Sequence, residues 1–294
     1  MKVSVVICTK GRHSDLAECI ESIQRQTLNP TELIVVDASV DNDTKDYVSA
    51  LSESCYFDTI YIKQKYGYLT HARNIGIKVV SGDVVVFLDN DTILYKDYLE
   101  NIVDIFRRDK DKVIGGVQGH VVGRKEFPLI IRLIDHFFLI DSPRKGMVSV
   151  IGSCSYPIKV EEVVSVMWLS GSNMCFRRCV FDDFSFNEEI SCTYNSSGYR
   201  FVGEDKEFSH RVSKKYTIVL NPKAKLVHKG ERSAWESTSV LNNCYGDYLI
   251  CRRYWFRNFY RWNPFYEFLF WWGQFGYFIS SFVKHILRDP LKVM

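Results

Sequence analysis

The sequence predicts an α/β fold: a doubly wound, mixed but mainly parallel sheet with flanking helices, followed by a C-terminal aromatic-rich helical region. Three observations carry this. Apolar runs such as Val84-Val85-Val86-Phe87-Leu88 are continuous rather than alternating, as in strands buried on both faces. They alternate with segments of helical period, the pattern of βαβ units. Thr9, Asp37 and Asp89 close three of the runs. In such a sheet those ends share one edge, where ligands bind.

Val3-Ser4-Val5-Val6-Ile7-Cys8 opens the series and leads into Thr9-Lys10-Gly11-Arg12. Ser14 or Asp15 is positioned to cap a helix in which Leu16, Cys19, Ile20 and Ile23 share a face. Glu32-Leu33-Ile34-Val35-Val36-Asp37 is a second buried strand, and a helix starts at residues 41–43. Residues 59–62 form a third strand, 69–80 a helix, and the Val84 run a fourth strand. Residues 115–119 are glycine-rich but sit between apolar residues with no helix-opening pattern after them. They read as a strand with close backbone packing. No G-x-G-x-x-G follows the first strand and no G-x-x-x-x-G-K-[ST] occurs anywhere, which disfavours a dinucleotide dehydrogenase and a P-loop nucleotidase. Residues 217–220 and 225–227 read as two short strands.

With 294 residues, 46% of them hydrophobic and 25% charged, the chain can hold one large domain and an appendage, or two small domains. A net charge of +3 is too small to argue for nucleic acid. The nine cysteines are scattered and odd in number, without paired C-x-x-C spacing. Neither a disulfide framework nor a zinc site is expected, and the expected compartment is reducing. No basic stretch followed by an apolar core marks a secretory leader, so a cytoplasmic location is expected.

Asp89-Asn90-Asp91 ends the fourth strand with two carboxylates one residue apart. Hard oxygen ligands so close suit Mg²⁺ or Mn²⁺ carrying phosphates. The alternative is that Asp91 caps a helix starting near Tyr95 and Asp89 is solvated. Asp37 can accept hydrogen bonds from a ribose or a base edge, or cap its loop. Arg73, on the helix with His71, Asn74 and Gly76, can hold a phosphate bidentately or form a surface ion pair.

The runs Val5-Val6-Ile7-Cys8-Thr9-Lys10-Gly11-Arg12, Val35-Val36-Asp37-Ala38-Ser39, Ala72-Arg73-Asn74-Ile75-Gly76 and Phe87-Leu88-Asp89-Asn90-Asp91 follow in order. Their order and spacing resemble those of family 2 glycosyltransferases, which have the nucleotide-sugar-binding GT-A fold. The resemblance implies that Thr9 and Arg12 line the nucleotide pocket and that Asp37 holds the base or ribose. It further implies that Arg73 lies near the diphosphate, Asp89 faces the ribose and Asp91 binds Mg²⁺ or Mn²⁺. One departure is visible: the family often has two adjacent acids after the second strand, and here the second position is Ala38. On this reading residues 1–235 form the GT-A domain, with a nucleotide-binding half at 1–110 and an acceptor-binding and catalytic half at 111–235.

In the second half, residues 166–178 resemble the family's block beside the acceptor. Trp168 can stack on a sugar or sit in the core; Gly171, Ser172 and Asn173 are acceptor contacts. Residues 128–138 are apolar, read as helical, and lie in the part that covers the acceptor. Glu204 and Asp205 start a helix, where carboxylates are favoured by the macrodipole. By resemblance Asp205 is the general base, with Glu204 the second choice. Glu207 and Arg211 read as an ion pair on the helix's exposed side. His228 is a structural histidine on its own; the family context makes it a metal ligand or diphosphate contact. Lys229 and Arg232 are placed to neutralise the leaving diphosphate. Asn195-Ser196-Ser197 matches a glycosylation sequon, discounted for want of a leader.

The tail differs. Eighteen of the 43 Phe, Trp and Tyr residues lie at 245–282, interleaved at first with Arg252, Arg253, Arg257 and Arg261. Residues 265–283 carry a single formal charge, Glu267, and as a helix would span about 28 Å. Three readings compete for the region 236–294: a helix in the membrane plane, a spanning helix, or a soluble helix packed on the domain. The expected activity is an inverting, metal-dependent transfer of sugar from a nucleotide-diphosphate donor to a glycan or lipid-linked acceptor at a membrane surface. The rivals are a sugar-phosphate nucleotidyltransferase and a non-catalytic carbohydrate-binding protein on the same fold.

Overall fold

In the computed structural model the described residues are 1–52, 55–142, 144–189, 203–230 and 263–288. The chain divides into two compact units. The first comprises residues 1–123, 160–196 and 204–235; the second comprises 124–159, 197–203 and 236–294.

Nine strands among the described residues form one sheet, all in the first unit. They are β1 (Val3–Thr9), β2 (Glu32–Asp37), β3 (Asp58–Lys63), β4 (Val84–Asp89), β5 (Thr92–Leu94), β6 (Ile114–Val121), β7 (Val164–Val166), β8 (Asn173–Arg177) and β9 (Thr217–His228). The order is β3-β2-β1-β4-β8-β6-β9-β5, with β7 beside β9. The β3-β2-β1-β4 run is parallel, and β8 runs antiparallel to both β4 and β6. This is the mixed, mainly parallel sheet expected. Every residue of β2 is buried, as a continuous apolar strand requires. Register aligns Thr9 with Asp37 and Cys8 with Asp89, so the three polar strand ends do lie along one edge.

Helices α1 (His13–Gln24), α2 (Asp43–Leu51), α3 (Leu69–Val79), α4 (Tyr98–Arg108) and α6 (Glu204–Ser213) belong to the same unit. Phe87 of β4, Phe176 of β8 and Phe208 of α6 meet Phe181 and Phe186 in one aromatic cluster, with Phe186 stacked on Phe208 at 4.1 Å. That cluster seats α6 on the sheet. The second unit contains α5 (Leu129–Phe137) and α7 (Pro264–Arg288), packed on one another.

Several expectations change. The first helix starts at His13 rather than being capped by Ser14 or Asp15, because Gly11 and Arg12 both take left-handed backbone angles and turn the chain sooner. The segments at 217–220 and 225–227 are one strand, β9, with its irregularity opposite Gly119 and His120. Asp91 does not cap a helix near Tyr95: β5 intervenes and the next helix begins at Tyr98. The Glu207–Arg211 pair exists at 2.6 Å, but Glu207 is buried, not on an exposed side. No helix among the described residues, α7 included, is long and apolar enough to cross a membrane. The sequon, Arg232 and the arginine–aromatic stretch at 245–262 lie outside the described residues.

Candidate active site

The site is assembled where β4 stops. Asp89 is its last residue, Asp91 follows one residue on, and β5 then pairs antiparallel with the end of β9, setting Thr92 opposite His228. The Lys229 backbone N–H donates to the Asp91 carbonyl at 3.0 Å and closes the turn. Asp91 and His228 are thereby held face to face, His228 Nε2 lying 3.1 Å from Asp91 Oδ1 and 3.7 Å from Asp89 Oδ2. One ligand atom from each of the three lies within 4.8 Å of the others. A Cβ at Gly230 would stand 2.6 Å from Asp91 Oδ2, so the glycine leaves that oxygen clear.

Arg12 reaches Asp91 Oδ2 at 2.9 Å, from its left-handed position after β1. Burial opposes ionisation of Asp91, but the hydrogen bond and charge of His228, with Arg12, outweigh it and hold the carboxyl below the usual range. Asp89 behaves oppositely. Burial raises its pKa, and the neighbouring Asp91 and Asp205 charges add to that against the pull of Arg73 and His228. Two carboxylates and an imidazole converging at this distance fit a divalent Mg²⁺ or Mn²⁺.

The start of α6 meets this centre through Arg73. Its side chain on α3 is only 3% exposed, lies over the Phe186 ring, and donates to Glu204 Oε1 at 2.9 Å, with Asp89 Oδ1 at 3.9 Å. Burial raises the pKa of Glu204, as does the charge of Asp205 beside it, with Arg73 opposing. Asp205 is oriented by two backbone donors, Gly171 N–H on Oδ2 at 2.7 Å and Lys206 N–H on Oδ1 at 2.8 Å. Ser209 donates to the Asp205 carbonyl at 2.6 Å and accepts from Leu169 N–H at 2.9 Å, which ties α6 to the 169–172 turn.

Other expected contacts are engaged differently. Asp37 is fully buried; Ser39, the Tyr61 hydroxyl at 2.8 Å and Lys63 at 3.4 Å occupy its carboxylate. Burial works against its charge, but these partners hold it below the usual range. It is therefore a strut of the β2 end rather than an open acceptor. Thr9 donates to the Gly11 carbonyl and accepts from Asn90 Nδ2 at 2.9 Å. Asn173 is fully buried, its Oδ1 accepting from Gly119 N–H at 2.6 Å and its amide donating to Ser172, so it braces β6 against β8 instead of facing an acceptor. Trp168 is buried, with Lys206 Nζ 5.3 Å from its ring: the core alternative is the one realised. Lys229 pairs with Glu18 at 2.6 Å and Asp15 at 3.3 Å on α1.

Residues that the motifs did not single out complete the arrangement. Asn90, the middle of Asp-Asn-Asp, bridges to β1 as above. Asn74 Nδ2 and His71 Nδ1 hold Glu188 at 2.7 and 2.8 Å, anchoring the chain just after Phe186. Asn74 sits beside Arg73 in the recognised motif, and that adjacency was the available signal.

The family model described as "Glycosyl transferase family 2" matches residues 4–159, and that described as "Glycosyl transferase family group 2" matches residues 84–290. Among curated proteins, the chain is 29% identical over 189 residues to a glucosyl-dolichyl phosphate glucuronosyltransferase of Haloferax volcanii, covering 62% of this chain and 54% of that protein. It is 26% identical to the O-antigen chain rhamnosyltransferase RfbN of Salmonella typhimurium, covering 63% and 55% respectively. The chain therefore spans about half the length of these relatives. Among solved structures, GalNAc-T7 with UDP, GalNAc and Mn²⁺ superposes with a TM-score of 0.60 at 15% identity, covering 78% of this chain and 44% of that one. S. aureus TarS 1-349 gives 0.51 at 18% identity, covering 80% and 63%. These are GT-A transferases, and the sheet is of their type. On the match to more than half of its length, the chain belongs to glycosyl transferase family 2.

Proposed function

We propose that this protein is an inverting glycosyltransferase, moving a sugar from a nucleoside-diphosphate donor to a hydroxyl of a glycan or lipid-linked saccharide at a membrane surface. The observation that carries the reading is the convergence of Asp89, Asp91 and His228 next to the Arg73–Glu204–Asp205 group. A non-catalytic descendant of the fold would have no reason to keep both sets in register. Similarity to a glucosyl-dolichyl phosphate glucuronosyltransferase and to an O-antigen chain rhamnosyltransferase supports an acceptor of this class.

Asp91 and His228, with Asp89 beside them, would hold Mg²⁺ or Mn²⁺. When bound, the ion neutralises charge on the departing diphosphate. The remaining work is done by side chains of this chain. Asp205, fixed by the Gly171 and Lys206 amides, takes the acceptor's hydroxyl proton. The acceptor oxygen bonds to the anomeric carbon as the bond from that carbon to the phosphate oxygen breaks, so configuration inverts in one displacement. Arg73 opposes the rise that burial and Asp205 impose on Glu204 and holds the start of α6 in place. Gly171 lies where a Cβ would stand 3.0 Å from the Arg73 guanidinium, and its bare backbone lets the acceptor turn close on Asp205.

The test is release of nucleoside diphosphate from a panel of nucleotide sugars in Mn²⁺ by wild type, Asp91→Ala and Asp205→Asn. Wild type turns over at least one donor, and each variant loses about 10²-fold or more in kcat. Equal activity in all three, or silence of wild type against every donor, overturns the assignment.

A further inference from the structure

α7 turns apolar side chains outward as well as inward. Among its exposed residues are Phe265, Phe268, Trp271, Phe275, Phe278, Phe282 and Ile286, recurring at three- and four-residue steps along one face. Its inward face mixes small and polar residues with the buried Phe270 and with Leu269, Trp272, Tyr277 and Ile279, which pack against Phe138, Ile140 and Ile151. Gly273 and Gly276 lie where a Cβ would overlap Ile151 and Phe138, so these glycines are what allow the close approach. Gln274 and Ser280 are buried, and the Ser280 hydroxyl donates to Asp135 of α5 at 2.6 Å, with Lys284 Nζ 3.8 Å from the same carboxylate. α5 continues the outward face with Leu129, Ile130 and Leu133, each more than half exposed.

A helix apolar on its outward face as well as its inward one suits a hydrocarbon solvent better than water. Contiguous apolar patches beyond a few hundred Å² are uncommon on monomeric soluble proteins. The charge of the same unit says which apolar surface it meets: residues 124–159 and 263–288 hold eight Lys and Arg against four Asp and Glu. That imbalance complements anionic headgroups. Because no described helix is long and apolar enough to cross a membrane, α7 would lie in the plane, with Phe and Trp at the headgroup–acyl boundary.

We propose that the outward face of α5 and α7 seats the second unit on a bilayer containing anionic lipid. This deepens the membrane part of the proposed function, and its test reads lipid binding rather than sugar transfer, so either can fail without the other. The purified full chain is floated with equimolar phosphatidylcholine–phosphatidylglycerol vesicles and with phosphatidylcholine vesicles alone. Wild type floats with the mixed vesicles, and at least about tenfold less with the neutral ones. The triple variant Phe268→Gln/Phe275→Gln/Phe282→Gln lowers flotation on mixed vesicles by at least about tenfold. Its helical circular dichroism stays unchanged; Phe275 also touches the Phe138 ring at 5.9 Å, so the leucine replacement, which removes the same ring contact, is the control for packing. Replacing the same three residues by leucine keeps flotation. Absence of flotation by wild type, equal flotation on both vesicles, or flotation unchanged in the glutamine variant overturns the proposal. So does gel filtration showing a wild-type dimer that the glutamine variant dissolves, which would assign the face to a second copy.

Discussion

Glu204 and Asp205 are neighbours in sequence but are used differently. Glu204 is bound to Arg73 at 2.9 Å, whereas Asp205 is held only by backbone amides that orient it. Glu204→Gln keeps an oxygen for Arg73 and exchanges a charge-assisted hydrogen bond for a neutral one. It should cost about 1–2 kcal/mol, or roughly tenfold in kcat. On the proposed mechanism Asp205→Asn removes the base, and kcat should fall about 10²–10⁴-fold. Steady-state kinetics on the preferred donor distinguish them; a larger loss in Glu204→Gln than in Asp205→Asn would exchange the two roles. The motifs named both acids and Arg73 but not their pairing. A contact across 131 residues leaves no trace in spacing along the chain. The partners of Asp37 were hidden for a related reason. Its acidity at a strand end was legible, while Tyr61 and Lys63, which enclose it, come from the neighbouring strand.

The strands were legible because parallel-sheet strands are buried on both faces and write themselves as unbroken apolar runs. β5, three residues long, is too short to carry such a run, and so Asp91 looked like a helix cap. β9 was divided in the reading by Asn221-Pro222, since proline removes a ladder donor. The structure accommodates it with an irregularity in which Gly119 pairs Asn221 and the next residue, His120, pairs Lys225. Gly119 makes that possible: a Cβ there would collide with the Ala224 carbonyl and the Tyr98 ring. The glycine-rich stretch is thus a strand with close backbone approach, as read. Gly119→Ala should destabilise the fold by about 1–3 kcal/mol, because the obstructing atom is backbone. Its amide also braces Asn173, so the substitution loosens the β6–β8 junction beneath the site. A urea midpoint within error of wild type would refute this account of the bulge.

Acid response integrates these buried groups across the fold. His210 of α6 is buried, and that burial, with the charge of Lys214, lowers its pKa to about 4 against a backbone hydrogen bond at Met167 that raises it. The unfolded chain titrates near 6.5, so between pH 6.5 and about 4 it binds a proton that the folded protein refuses. The stability present above pH 6.5 is therefore lost as pH falls through that window, by ~3 kcal/mol if the whole shift is expressed. Glu32, Asp37 and Asp109 have the same sign at lower pH. Burial opposes their charge, but their partners depress the folded pKa values below 4.5 for Glu32 and 3.8 for the aspartates. Their contribution is complete above those values and lost on acidification through the folded ones. Glu204, raised in the folded state, runs the other way, so the informative comparison is between wild type and His210→Gln at each pH. In urea midpoints at pH 7, 6, 5 and 4, the wild type should lose stability relative to His210→Gln progressively from about pH 6.5 down to about pH 4, the contributions of the carboxylates being common to both. Parallel profiles would mean that His210 takes up its proton within the folded state, and that α6 tolerates a buried charge.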